Sequence, residues 1–556
     1  MVPWQRLLGT RLAFLCMALA LIVVLPARAS ASATQQSILM DDQELIYSPP
    51  TQVVKTLEQL SSLGVSTVKV SLVWTLVGPD SSSTHRPRFD ATNPNAYPAG
   101  AWARYDLIDI VAHELGMRVY FLIAPPVPLW AIPAHDPNQG PPLGRAPVLS
   151  YLHQFVVAAS RRYSGTYPNP YASTPSSSSG TTSVLGVPLP VGLPATGSAA
   201  SSDPTSSDEP TSLPAVNYWS IWNEPNERSW LNPWHSGKKL LQPSEYRAIV
   251  DTSWNALRST GRRASSILIG ETANVGIWQP LPFIRALYCV GNNFVPLTGS
   301  AAAALNCPTS GNTSKFVAAN PGLFDGAGFA HHPYSFDVAP NRPYPDPSWV
   351  TLDNLGSLER TLDRIFAVYR ESRRGGVPVW ITEWGYKTDP PNPFAHTTEI
   401  QQAEWTAEGT YMTWKDPYVQ GFGQFLLVDA APKPDKKPGS SAYWNTFQTG
   451  LELLNGTPKP AYQAFRLPLW VPDPRHGSRV TVWGQLRPAD HDQLQYGVLE
   501  FEPEGSSSYE QIREFQTASS EGFFVAHVAI PSSGRLRIAW LSPSGGVYYS
   551  RSTAIS

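Results

Sequence analysis

Short apolar runs, rich in Val, Ile, Leu and aromatic residues and closed by a polar residue or a proline, recur along this chain with a helical stretch between one and the next. They occupy 37–40, 66–74, 118–124, 216–222, 266–272, 326–334, 377–385 and 419–428. Most lack the polar alternation of a half-exposed strand, which marks strands covered on both faces, as in a parallel sheet. Helical spacing fills 53–63, 101–115, 148–163, 244–259, 281–289, 355–371 and 398–415, with Gly64, Gly116, Gly261 and Gly375 standing where helices stop. Eight strands alternating with helices predict an α/β fold, a (β/α)8 or TIM barrel over 32–467. A doubly wound open sheet is the alternative, and it lacks a glycine-rich dinucleotide turn after the first strand.

Three segments break the pattern. Ser, Thr, Pro and Gly dominate 164–214, where few side chains are bulky and apolar. Such a segment cannot bury enough surface to offset its ordering entropy, so it reads as a disordered insertion in the barrel. From 468 to 556 short alternating strands, at 479–484, 496–501, 522–528 and 535–541, follow one another with turns and no helices. That is the pattern of a small C-terminal β-sandwich, with carbohydrate binding and simple packing both open as its role. Residues 1–31 carry Arg6 and Arg11 ahead of an apolar run and end in small residues. This order is that of a secretory signal peptide, cleaved after Ala29 or Ala31 or else kept as an N-terminal anchor. The chain is accordingly expected to be secreted or held at the cell surface.

Cleavage would leave Cys289 and Cys307, whose small polar loop favours one local disulfide in an exported chain. No Cys/His cluster has metal-ligand spacing and no phosphate loop is present, so no metal and no cofactor are expected. With 41 Lys and Arg against 43 Asp and Glu, the charge offers nothing to a nucleic acid. Oligomeric state is not legible.

Two carboxylates stand at the ends of apolar strands: Glu224 in Trp222-Asn223-Glu224-Pro225 after the fourth, and Glu383 in Ile381-Thr382-Glu383-Trp384-Gly385 after the seventh. Taken singly, Glu224 could cap a turn and Glu383 could pair with Lys387 or Arg373. Taken together, at the barrel end where the βα loops gather, they form the pair that glycoside cleavage needs: one group to protonate the leaving oxygen, one to attack or stabilise the anomeric carbon.

These motifs resemble glycoside hydrolase clan A, the retaining barrel glycosidases, and most closely the cellulase-like family 5 and family 39 types. The resemblance spans about 36–467 and takes in Gly456-Thr457-Pro458-Lys459-Pro460-Ala461-Tyr462 before the last helix. It implies a hydrolase of polysaccharides or other β-linked glycosides, with Glu224 as general acid/base and Glu383 as nucleophile. It also implies that Asn223 bonds the sugar 2-hydroxyl, that Tyr334 orients Glu383, and that His332 lines the site near Glu224; of the two histidines at this strand end, His331 is expected to be structural. Two departures stand out. Lys69 occupies the place of an arginine that supports the nucleophile, and the eighth strand lacks a tryptophan that floors the sugar site in many members. Trp74, Trp130, Trp230 and Trp384, near strand ends, are candidates to stack on sugar faces, and Glu271 after the fifth strand has no assignable role. The alternative reading is a catalytically silent carbohydrate-binding protein of the cell surface.

Overall fold

The computed structural model describes residues 32–133, 144–172, 183–184, 187–188, 211–233, 235–236, 239–490, 493–543 and 545–556. Eight parallel strands close into a barrel: β1 (Gln36–Met40), β2 (Thr67–Val73), β3 (Arg118–Ala124), β4 (Tyr218–Ile221), β5 (Ile267–Ala273), β6 (Gly328–His332), β7 (Val379–Ile381) and β8 (Val419–Phe425). Each pairs with its neighbours in sequence, and β8 returns to β1 with Gln36 opposite Gly421 and Met40 opposite Phe425. The expected TIM barrel is therefore present.

Helices α1 (Pro50–Ser62), α2 (Ala103–Glu114), α3 (Leu149–Arg162), α4 (Gln242–Ser259), α5 (Pro280–Leu287), α6 (Gly356–Tyr369) and α7 (Glu399–Lys415) accompany the strands. Their sequences explain their limits. Proline sits in the first turn of α1, α4 and α5, where a missing N–H costs nothing. Thr398 and Gln401 form a reciprocal capping box at the start of α7. Buried residues recur at helical spacing, Val53, Val54, Leu57 and Leu60 on α1 and Leu358, Leu362, Ile365 and Phe366 on α6. They join Val68, Val70, Val119 and Phe121 of the strands in the main core.

The opposite strand faces fill the barrel. Ile38, Tyr120, Leu268, Ala330 and Trp380 pack as one layer, and Met40, Leu122 and Ala124 meet Phe425 in another. Helix α8 (Pro460–Arg466) follows, and then two antiparallel sheets. One contains β9 (Leu469–Trp470), β10 (Gly477–Gln485) and β13 (Phe523–Ile530). The other contains β11 (Gln495–Pro503), β12 (Glu510–Thr517), β14 (Gly534–Leu541), β15 (Val547–Tyr549) and β16 (Thr553–Ile555). They share a core of Val480, Val482, Leu499, Phe501, Ile538 and Trp540, as expected for a sandwich. Arg487 ties this unit to the barrel, donating from Nη1 to Ser37 Oγ at 2.5 Å and from Nε to the Phe465 carbonyl at 2.7 Å.

The insertion leaves and returns at one place, with Ser164 bridged to Ala215 and Pro168 to Ser212. Tyr171 anchors its near end by donating to Asp106 Oδ2 at 2.8 Å. Most of the segment expected to be disordered lies outside the described residues, and so does the leader at 1–31. Cys289 and Cys307 are disulfide-bonded. The loop they staple folds into two short helices, Gly299–Ala304 and Thr313–Ala319, which the sequence reading missed.

Candidate active site

Glu224 owes its place to the turn after β4. The Trp222 N–H still bonds the Ile123 carbonyl at 2.8 Å. Beyond it the backbone leaves the ladder, with φ of 67° at Trp222 and 39° at Glu224. These left-handed values are costly for residues with a side chain and persist only where the surroundings enforce them. Here they are enforced by Asn226, whose amide accepts from Ala273 N–H at 2.9 Å and donates to the carbonyls of Ala273, Val275 and Trp278. The loop after β4 is thereby pinned to the loop after β5.

Glu383, two residues past β7, meets Glu224 across the barrel mouth, and one carboxylate oxygen of each lies within 4.8 Å of the other. Glu224 keeps 18% of its side chain exposed and Glu383 8%, so both can be reached from solvent. The Tyr334 hydroxyl donates to Glu383 Oε2 at 3.3 Å and the Lys69 ammonium to Oε1 at 3.0 Å. His332 Nδ1 bonds Glu224 Oε1 at 3.0 Å. Arg373 is engaged elsewhere, with the carbonyls of Phe324 and Gly326. The sequence-predicted residues Glu224, Glu383, Lys69, His332 and Tyr334 thus converge, with Asn223 next to Glu224 in the chain. Lys69 and His332, however, have no exposed side-chain surface. They hold the carboxylates from behind.

At the centre stands Glu271, fully buried, which sequence reasoning left without a role. Its Oε2 accepts from Lys69 at 2.8 Å, from His332 Nε2 at 2.7 Å and from Thr382 Oγ1 at 2.7 Å, while the Tyr120 hydroxyl takes Oε1. With Leu268 facing the barrel interior, strict alternation would turn residue 271 outward. The register shows why it turns in. Ile269 pairs with Phe329 and Thr272 with His331, so β5 carries one residue more than β6, and the bulge reverses the parity. Gly270, at φ 105°, and Glu271, at φ 45°, make the kink. The one trace in the sequence is that glycine within an otherwise apolar strand.

Protonation follows from these contacts. Burial disfavours the Lys69 ammonium, but the charges of Glu271 and Glu383 outweigh it and raise its pKa. Burial likewise opposes the His332 imidazolium, yet Glu383, with the hydrogen bonds to Glu224 and Glu271, pushes it up to about 9 despite the Lys69 charge. Against its own burial, Glu271 is held ionised, well below the usual carboxylate range, by Lys69 and His332. Burial pushes His331 down to about 4, and as a neutral ring it joins Thr272 to the Val350 carbonyl, the structural part expected of it. Glu224, His332 and Glu383 could offer three atoms to a cation. Both His332 nitrogens face carboxylates, however, and an imidazolium has no lone pair to give.

Three of the four candidate tryptophans are a correction, while Trp230 is half-buried. Trp74, Trp130 and Trp384 are 1%, 4% and 1% exposed, inside the core. Trp74 stacks on Phe155 at 4.8 Å and meets Trp130 edge-on, whose indole N–H bonds the Pro79 carbonyl. Trp384 points away from the site and packs edge-on against Tyr386 at 5.0 Å. Near a strand end, a tryptophan can face the helices as readily as the mouth. The aromatic surface beside the site comes instead from Phe425 and Phe447, whose rings lie 5.2 Å apart and each 6.3 Å from Tyr334. Phe447 is 43% exposed, and it sits in a loop with no periodicity to flag it.

No family model matches the sequence, and no curated protein matches it. Among solved structures, GH5_18 from Streptomyces cattleya in complex with GlcNAc is similar at 13% identity, over 79% of this chain and 80% of that one, with a TM-score of 0.43. A monomeric β-xylosidase from Caulobacter crescentus CB15 shows 13% identity over 91% of this chain and 96% of its own, with a TM-score of 0.43. An FMN-binding β-glucuronidase from Facaelibacterium prausnitzii L2-6 shows 9% identity, covers 94% of this chain and has a TM-score of 0.40. This chain spans only 56% of that glucuronidase. Similarity at this level adds nothing to the chemistry, which rests on the residues above.

Proposed function

We propose that this chain is an exported, retaining glycoside hydrolase of the clan A type, acting on a β-linked glycan or glycoside. The observation that carries the reading is the approach of Glu224 and Glu383 to within 4.8 Å at the open end of the barrel. Retaining glycosidases set their carboxyl groups about 5–5.5 Å apart, against roughly 6.5–9.5 Å where a water must fit between them. In the first step Glu383 attacks the anomeric carbon as Glu224 gives its proton to the departing oxygen. In the second, Glu224 takes a proton from water, which displaces Glu383 and releases the sugar. Lys69 and Tyr334 orient the nucleophile. Asn223 suits a sugar hydroxyl, since its amide oxygen is buried with no partner among the described residues and lies beside Glu224 in the chain.

The reading as a silent carbohydrate-binding barrel rests on two departures, an eighth strand without a tryptophan and Lys69 in place of an arginine. The direct bonds of Lys69 to Glu271 and Glu383 supply the support that the arginine would give, which favours catalysis. The test is turnover of aryl β-glycosides and soluble polysaccharides. Glu224→Ala and Glu383→Ala should each lower kcat by about 10⁴-fold or more, with azide restoring cleavage of an activated substrate by Glu224→Ala. Saturable glycan binding by the unaltered protein, with no cleavage across the panel, would overturn the reading.

A further inference from the structure

Glu271 makes more hydrogen bonds than either carboxylate expected to react. Through one oxygen it binds the two cations that face those carboxylates: Lys69, which reaches Glu383 Oε1 at 3.0 Å, and His332, which reaches Glu224 Oε1 at 3.0 Å. Its backbone takes part as well, because the Glu224 N–H donates to the Glu271 carbonyl at 2.9 Å. We propose that Glu271 is a positioning residue of the reaction, a buried counter-charge that locks Lys69 onto the nucleophile and His332 onto the acid/base as one ionic unit. This inference rests on the glycosidase reading and adds to it a residue that touches no substrate.

The chemistry explains why a third carboxylate belongs there. In a double displacement, Glu383 loses its charge on forming the ester and Glu224 gains one on giving up its proton. Negative charge thus moves from one side of the mouth to the other in each half-reaction. His332 faces both ends of that movement, with Nδ1 on Glu224 and Nε2 only 3.6 Å from Glu383 Oε1. A cation preset in this way stabilises the shifted charge without reorganisation. Two buried cations so close would shed a proton unless a fixed anion held them, and Glu271, which does not react, keeps its charge throughout. Thr382 and Tyr120 complete its shell and fix its rotamer. The charged and titratable groups facing His332 are Lys69 from β2, Glu224 after β4, Glu271 from β5, Glu383 after β7 and neutral His331 on its own strand.

Glu271→Gln keeps the shape and removes the charge. In histidine-labelled protein, with the His332 signal assigned by His332→Gln, the imidazole midpoint should fall by about one pH unit or more. On an aryl glycoside kcat should fall by about 100-fold, with KM changing by less than about three-fold. Glu271→Asp keeps the charge on a shorter arm, and it should leave the midpoint near the unaltered value while still losing about ten-fold in kcat. Glu271→Gln with an unchanged His332 midpoint, or with unaltered kcat, overturns the inference. If Glu271→Gln does not fold, Glu271→Asp decides, and unaltered kcat there overturns it equally. Failure of the unaltered protein to cleave any glycoside sinks the glycosidase reading, whereas cleavage indifferent to Glu271 sinks this inference alone.

Discussion

Phe447 and Trp384 divide the labour that the sequence assigned to tryptophan alone. Trp384→Ala removes a fully buried ring and should cost about 3–5 kcal/mol in urea unfolding. Phe447→Ala, at an exposed position beside Tyr334, should change stability by less than about 0.5 kcal/mol while raising KM for a glycan several-fold. The reverse pattern would return the platform to the tryptophan. His332 carries a second prediction. Its pKa is raised from 6.5 to about 9 in the folded protein, so the fold binds that proton more tightly than the unfolded chain does. The resulting stabilisation is fully present below pH 6.5 and is lost as pH rises through 9. Urea unfolding at several pH values should show this decline, and His332→Asn should flatten it; an equal slope in both proteins would contradict the assignment. At this scale, Glu224, Glu383 and Tyr334 were legible because each sits in a short motif beside a strand end. Glu271 was not, because the direction of its side chain depends on a bulge that only pairing with β6 reveals.

That bulge in β5 is the element on which the site depends. A Cβ added at Gly270 would meet the Ala330 carbonyl oxygen at 2.5 Å and the Phe329 ring at 2.8 Å, and φ there is 105°. Gly270→Ala should therefore cost about 1–3 kcal/mol and, by displacing Glu271, lower kcat by far more than the loss of folded protein explains. Stability and kcat measured on the same preparation separate the two effects, and an alanine variant indistinguishable from the unaltered protein would show that the kink is not required. The existence and order of the barrel strands and helices were legible, since an apolar run between helical stretches has few other uses. Their ends were less so. The expected strand at 377–385 is only Val379–Ile381, because Pro378 has no N–H for the ladder and the chain leaves it after Thr382, whose N–H still bonds the His331 carbonyl, to deliver Glu383 to the mouth.

Over the whole molecule, a barrel and a sandwich meet at the end away from the carboxylates. Gly64, past α1 at φ 77°, approaches the Arg487 backbone so closely that a Cβ would collide with its carbonyl. Trp414 of α7 lies 5.6 Å from Trp483 of β10. The sandwich was legible from its alternating strands, but its seat on the barrel was not, since a lone arginine in a turn gives no sign of its partner. This placement leaves the mouth to the βα loops, where Glu224 and Glu383 face each other. What the molecule does there is most directly tested by the anomeric configuration of the first sugar released from an aryl β-glycoside, followed by proton NMR before mutarotation. A double displacement through Glu383 releases the β-anomer, with configuration retained. Release of the α-anomer would contradict it.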